Sequence, residues 1–188
     1  MTAVRQGTIV TIPEPCLVVL VGAAGSGKTT LAARLFEPGE ILSSDTYRER
    51  IAGDAANQSA TRAAFAALHR DLARRLAARH TTVVDATNVT AFARRSLLRH
   101  AVANRIAAVA VVLDLEPALV LARNAARPSR IVPARAVEAQ LRDLARALRS
   151  DAIEGEGFVA IHHLRTPAAL DGLVIRRAEI RPSRQRSG

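Results

Sequence analysis

The run Gly22-Ala23-Ala24-Gly25-Ser26-Gly27-Lys28-Thr29 fits the pattern G-x-x-x-x-G-K-[ST]. It is preceded by the apolar stretch Leu17-Val18-Val19-Leu20-Val21 and opens a helix-patterned segment over residues 29–36. A buried strand turning through glycines into a helix is the context this pattern requires. Glycines let successive backbone N–H groups turn inward around phosphate oxygens, and the helix N-terminus adds a favourable dipole potential. Lys28 is then expected to put its charge on the outer phosphates, and the Thr29 hydroxyl to ligate Mg²⁺. Composition sharpens the reading: Lys28 is the only lysine among 27 basic residues, the rest being arginine. A compact ammonium fits where a planar guanidinium does not. The nucleotide-binding set is therefore Gly22, Ala23, Ala24, Gly25, Ser26, Gly27, Lys28, Thr29 and Thr30, with ATP and Mg²⁺ as cofactors.

Strand-like runs alternate with helical ones along the chain, which predicts an α/β fold with a mostly parallel sheet. The expected strands are residues 7–12 (ended by Pro13 and Pro15), 17–21, 40–43, 81–84 and 106–115, with 158–164 and 173–176 as closing strands. The expected helices are 59–80, carrying a stripe of Ala63, Phe65, Leu68, Leu72 and Leu76, then 91–104, one opening at Pro117, and 133–150. Arg127-Pro128 breaks the third of these. At 188 residues the expectation is a single domain over 1–180, with a lid at about 123–150 and a disordered basic tail at 181–188. No apolar run is long enough to span a membrane, and Cys16 is alone beside the first core strand. A cytoplasmic protein with a buried, inert cysteine is expected. The five histidines show no metal-ligand spacing and are expected in the core or on the surface. The net charge of +10 points to an anionic partner, nucleic acid being the obvious one, although scattered arginines also make an ordinary solvated face.

In open parallel sheets ligands sit beyond the carboxyl ends of the strands. That rule gathers the glycine loop, Asp45, Arg48, Asp85 and Asn88 onto one edge. Asp45 follows the second strand, where a carboxylate can face the outermost phosphate and take a proton from an attacking hydroxyl, or else cap the next helix. Arg48, three residues on, shares the side of a starting helix with Asp45 and can hold an acceptor phosphate. Asp85 ends a strand where an acid reaches Mg²⁺ directly or through water; helix capping by Asp85 or Asn88 is the other reading. No Asp-Glu pair stands at a strand end, so a water-activating ATPase base is not evident. Arg123, Arg127 and Arg130 fall in a Pro-interrupted segment, where guanidinium groups on a lid can close over the phosphates; a solvated face is the alternative.

These segments resemble the kinase domain of the bacterial polynucleotide kinase-phosphatase RNA repair enzymes, and more distantly phage polynucleotide 5′-kinase. The matching pieces are Ile12-Pro13-Glu14, the glycine loop, Leu42-Ser43-Ser44-Asp45 with Arg48, Asn57-Gln58-Ser59-Ala60-Thr61, Thr82-Val83-Val84-Asp85-Ala86-Thr87-Asn88-Val89, Asp114-Leu115, Arg123-Asn124 and Arg127-Pro128. The resemblance implies a P-loop NTPase fold of the nucleotide-kinase type, with a central parallel sheet flanked by helices and a helical, arginine-bearing lid. It implies transfer of the ATP γ-phosphate to the 5′-hydroxyl end of DNA or RNA. Lys28 and Thr29 would bind phosphate and Mg²⁺, Asp45 would be the general base, and Arg48 would hold the acceptor's phosphate. Arg127 or Arg123 would stabilise the transferring group. Such enzymes fuse this kinase to phosphatase and ligase domains, activities expected here from separate proteins. The other functional readings are a small-molecule kinase acting on a nucleoside, sugar or antibiotic, and an ATP-binding switch.

Overall fold

A computed structural model describes residues 8–52, 58–128 and 131–179. The predicted tail at 181–188, Asn57 and Arg130 lie outside them. The central strand is β2 (Cys16–Val21), every residue of which is buried. The elements preceding and following it are β1 (Ile9–Glu14), α1 (Lys28–Leu35), β3 (Ile41–Ser43), α2 (Ser44–Ala52), α3 (Gln58–Ala77), β4 (Thr82–Asp85) and α4 (Ala91–Ala103). The chain continues through β5 (Ala107–Leu113), α5 (Pro117–Ala125), α6 (Ala134–Arg149), β6 (Ala160–Leu164), α7 (Pro167–Asp171) and β7 (Val174–Glu179).

Five strands form one parallel sheet in the order β3-β4-β2-β5-β6. Side chains of β2 alternate between its two faces, as the period of two in a strand demands. Leu17, Val19 and Val21 join the core under α3, α4 and α6. Cys16, Val18 and Leu20 join the core that includes Leu31, Val120 and Leu170. Burying each such aliphatic side chain stabilises the fold by about 1.5–3 kcal/mol, so β2 is held from both faces. The strand delivering the glycine loop is thereby firmly seated. Burial also pushes the Cys16 thiol up to about 12, consistent with an inert core cysteine.

Several boundaries differ from the sequence reading. The first strand runs through Pro13 to Glu14, because β1 pairs with β7 alone, in a separate two-stranded sheet. An edge strand tolerates the missing proline N–H. The closing strand β7 therefore belongs to that small sheet and not to the central one. In α3 the buried stripe is Ala64, Leu68, Leu72 and Leu76, whereas Ala63 is exposed and Phe65 is half-buried. The short helix α7, opened by Pro167 and capped by Thr166, had no expected counterpart. Among the described residues, no helix is long and apolar enough to cross a membrane.

Candidate active site

The glycine loop joins β2 to α1 over the carboxyl edge of the sheet. Gly25 and Gly27 have φ of 90° and 98°, a region open to glycine but strained for other residues. A Cβ on Gly25 would also lie 2.5 Å from the Val120 carbonyl oxygen. The loop is thus shaped by backbone and packed directly on α5. Lys28 Nζ folds back to donate to the carbonyls of Gly22 and Ala23, each at 2.8 Å. Burial pulls its pKa down to about 8, opposed by the Asp85 carboxylate and reinforced by Arg127. A buried ammonium held on two carbonyls is a cation whose stronger counter-charge would be a phosphate.

Asp85 is the last residue of β4 and is buried. Thr29 Oγ1 donates to its Oδ2 at 2.8 Å. Burial raises the Asp85 pKa, while the Thr29 hydrogen bond and the Lys28 charge oppose that shift. The helix-capping alternative for Asp85 and Asn88 does not hold. Thr90 caps α4, its side chain accepting from the Ala93 N–H at 3.3 Å. Asn88 instead donates from Nδ2 to the Leu20 carbonyl at 2.9 Å, pinning the loop after β4 to the central strand. A hydroxyl and a carboxylate held together beside a lysine form an oxygen donor set of the kind Mg²⁺ takes beside nucleotide phosphates. The residues present therefore fit the metal the fold implies.

Asp45 lies in the first turn of α2, one residue into the helix. It pairs with Arg48 across three residues, its carboxylate half exposed. The helix is itself held in place: Tyr47 donates its hydroxyl proton to Asp71 of α3. Arg48 rests its guanidinium 5.3 Å from the centroid of the Phe65 ring. Two cavities meet at the loop. The inner one, about 110 Å³, is lined by Lys28, Thr29, Asp45, Arg48, Asp85 and Arg127. The outer one, about 300 Å³, is lined by Gly25, Gly27, Thr30, Arg34, Arg123, Arg127 and Asp171. Arg127 borders both. Arg123 and Arg127 are four apart in sequence but do not share one helix, since α5 ends at Ala125. Arg127 lies beyond it, and both reach the loop because α5 packs on Gly25. Ala23 and Ser26 are buried within the loop itself, which Ala24 and Gly22 complete.

Gln140 and Arg94 escaped the sequence reading, and Asn124 entered it only beside Arg123 in a matching segment, with no role assigned. Gln140 of α6 accepts the Ala24 N–H at 2.8 Å, so α6 touches the loop. That helix is rooted in the core through Val137, Leu144 and Ala147. Arg94 is fully buried, donates to the Asn88 and Val89 carbonyls at 3.1 and 2.7 Å, and forks onto Glu156 at 2.7 Å through both Nε and Nη2. Asn124 of α5 brackets Val132 through 2.7 and 3.3 Å hydrogen bonds, fastening the segment between α5 and α6. Arg94 sits between Ala93 and Arg95, so nothing local distinguished it from the other arginines, and Gln140 carried no signal either.

Comparisons agree on the fold. A chain of the Pnkp1/Rnl/Hen1 RNA repair complex superposes with a TM-score of 0.63 at 20% identity, over 74% of this chain and 47% of that one. This chain thus spans about half the length of that neighbour. A gluconokinase from Sinorhizobium meliloti 1021 gives 0.54 at 19% identity, over 86% and 93% of the two chains. A sugar kinase from Janibacter sp. HTCC2649 gives 0.53 at 22% identity, over 81% and 87%. No curated protein matches the sequence. The model of the AAA domain family matches residues 17–150, from the central strand through α6. With that match and a parallel sheet flanked by helices around a glycine loop, the chain belongs to the AAA domain family and has the P-loop kinase fold.

Proposed function

We propose that this protein is an ATP-dependent polynucleotide kinase, moving the γ-phosphate to the 5′-hydroxyl of a DNA or RNA end, in a nucleic-acid repair setting. The observation that carries the reading is the inner cavity, where Asp45 and Arg48 face Lys28, Thr29 and Asp85. Phosphoryl transfer needs a phosphate cradle, a cation and a proton acceptor within one small space. The solved structures add only the fold, shared by kinases of small molecules and by a chain of an RNA repair complex. The substrate class rests on Arg48 beside the base and on a net charge of +10.

In this reading the loop amides and Lys28 hold the donor's phosphates, and Thr29 and Asp85 would hold Mg²⁺, Asp85 directly or through water. Bound there, Mg²⁺ would supply positive charge against the phosphate oxygens. Asp45 takes the proton from the acceptor's 5′-hydroxyl as the new O–P bond forms and the bond to the β–γ bridging oxygen breaks, releasing ADP. Arg48 keeps the Asp45 carboxylate oriented through their ion pair and presents its remaining N–H donors to a phosphate of the acceptor strand. Arg123 and Arg127 close over the donor from the outer cavity.

The test is transfer of labelled γ-phosphate from ATP with Mg²⁺ to a 5′-hydroxyl oligonucleotide, beside the same oligonucleotide already 5′-phosphorylated. Labelling of the first alone is expected. Asp45→Ala is expected to reduce turnover by roughly 10²–10⁴-fold, the worth of a positioned base, with ATP binding retained. Near-normal turnover in Asp45→Ala would remove the base assignment. Labelling of gluconate or a nucleoside, with both oligonucleotides unlabelled, would move the substrate to a small molecule. Phosphatase and ligase partners would belong to the same repair setting.

A further inference from the structure

We propose that the apolar cleft between α3 and α4 seats a nucleobase of the acceptor strand's 5′-terminal dinucleotide, with Phe92 as its stacking platform; this rests on the polynucleotide reading above. The cleft has a volume of about 250 Å³, with Phe65, Leu68, Val84, Phe92 and Leu97 among its lining residues. Two of the four phenylalanines in the whole sequence meet there. Phe92, the second residue of α4, is 80% exposed, the most exposed large apolar side chain among the described residues. Leaving a phenyl ring in water at the lip of an apolar cleft is unfavourable for the isolated fold and favours an occupant with a flat apolar face.

The polar side chains on the walls are already engaged within the protein. Asn88 donates to Leu20, the Ser96 hydroxyl donates to the Ala93 carbonyl at 2.7 Å, and His69 Nδ1 lies 3.0 Å from His100 Nε2. A sugar ring entering here would bury hydroxyls with few partners, which is costly. A base presents a π-face and asks for none.

Position ties the cleft to the acceptor side of the site. Ala86, immediately after Asp85, lines both the cleft and the inner cavity. Arg48 lines the inner cavity and stacks over Phe65, so its guanidinium stands on the boundary between the two. A strand with its 5′-hydroxyl at Asp45 and a phosphate at Arg48 would therefore pass its sugar-phosphate chain over the cleft mouth. Stacking on an aromatic ring tolerates any base, so this subsite would select polynucleotides over non-aromatic acceptors without selecting a sequence.

The experiment compares Phe92→Ala with the unsubstituted protein on two 5′-hydroxyl oligonucleotides, one complete and one abasic at its first two positions. Because Phe92 is exposed, the variant is expected to fold. The acceptor KM should rise roughly tenfold on the complete strand, and that penalty should disappear on the abasic strand. Equal changes on both strands, or none, overturn the proposal. So does a loss of self-association in Phe92→Ala with acceptor KM unchanged, which would assign the ring to a second copy of the chain. A second readout is independent of turnover. The sequence contains no tryptophan, so Phe92→Trp installs a single tryptophan, excitable at a wavelength where the one tyrosine is silent. Quenching by the complete strand and not by the abasic one supports the stacking role, and absence of quenching overturns it. Failure of the unsubstituted protein to phosphorylate either strand would sink the kinase reading separately.

Discussion

Lys28 shows how one residue sets a measurable property of the molecule. Burial disfavours its charged form and brings its pKa from 10.5 to about 8. Between those values the unfolded chain holds more protons than the folded protein. Stability contributed through this group therefore rises with pH across that window and is constant below it. A bound phosphate favours the ammonium and raises its pKa again, so nucleotide affinity and lysine protonation are linked. ATP affinity is expected to be level up to about pH 8 and then to fall by up to about tenfold per pH unit. Lys28→Arg, protonated throughout, should bind more weakly but lack the fall. Titration calorimetry from pH 7 to 10 reads this directly; a flat profile in the unsubstituted protein would mean that Lys28 does not lie on the phosphates.

At the scale of elements, the site depends on a loop held by side chains and not by a backbone ladder of its own. Residues 86–90 leave β4, and Asn88 there has a φ of 50°. Arg94, one turn into α4, holds two carbonyls of that loop and ends on Glu156, in a 3₁₀ turn (Glu154–Glu156) before β6. The pair is buried, with side-chain exposures of 0% and 1%. Removing one partner strands the other charge away from water, so Arg94→Ala should cost about 3–5 kcal/mol in urea unfolding. The double change Arg94→Met with Glu156→Leu should recover most of that loss, because it leaves no buried charge behind. A single-variant loss under about 1 kcal/mol would mean that water reaches Glu156.

For the whole molecule, the excess of positive charge is the property that bears on the acceptor. An oligonucleotide held through phosphates releases counterions, so its affinity falls with salt on a log–log plot by about 0.7 for each phosphate contacted on a single strand. The acceptor KM of a 5′-hydroxyl oligonucleotide should rise accordingly, with a steeper slope than for a 5′-hydroxyl mononucleotide carrying one phosphate. Parallel slopes for the two acceptors would show that the arginines beyond Arg48 form only a solvated face.

The glycine loop, its feeding strand and its helix were legible because the pattern is local: each glycine and Lys28 acts on its immediate neighbours. Asp45, Arg48 and Asp85 were legible as candidates because strand ends in a parallel sheet share one edge. The distant partnerships were not. Asp45 with Arg48, three apart on one helix, is local and was anticipated, but Thr29 with Asp85 across 56 positions and Arg94 with Glu156 across 62 depend on which elements become neighbours. The pairing of β1 with β7 was hidden for the same reason, since nothing local links residues 9–14 to 174–179. Hydrophobic period and turn chemistry act over a few residues, so the sequence by itself determined the longer elements and the phosphate loop. Packing acts through space, and only the tertiary structure decided that Phe92 stands bare beside the cleft, that Gln140 caps the loop, and that one arginine borders both cavities.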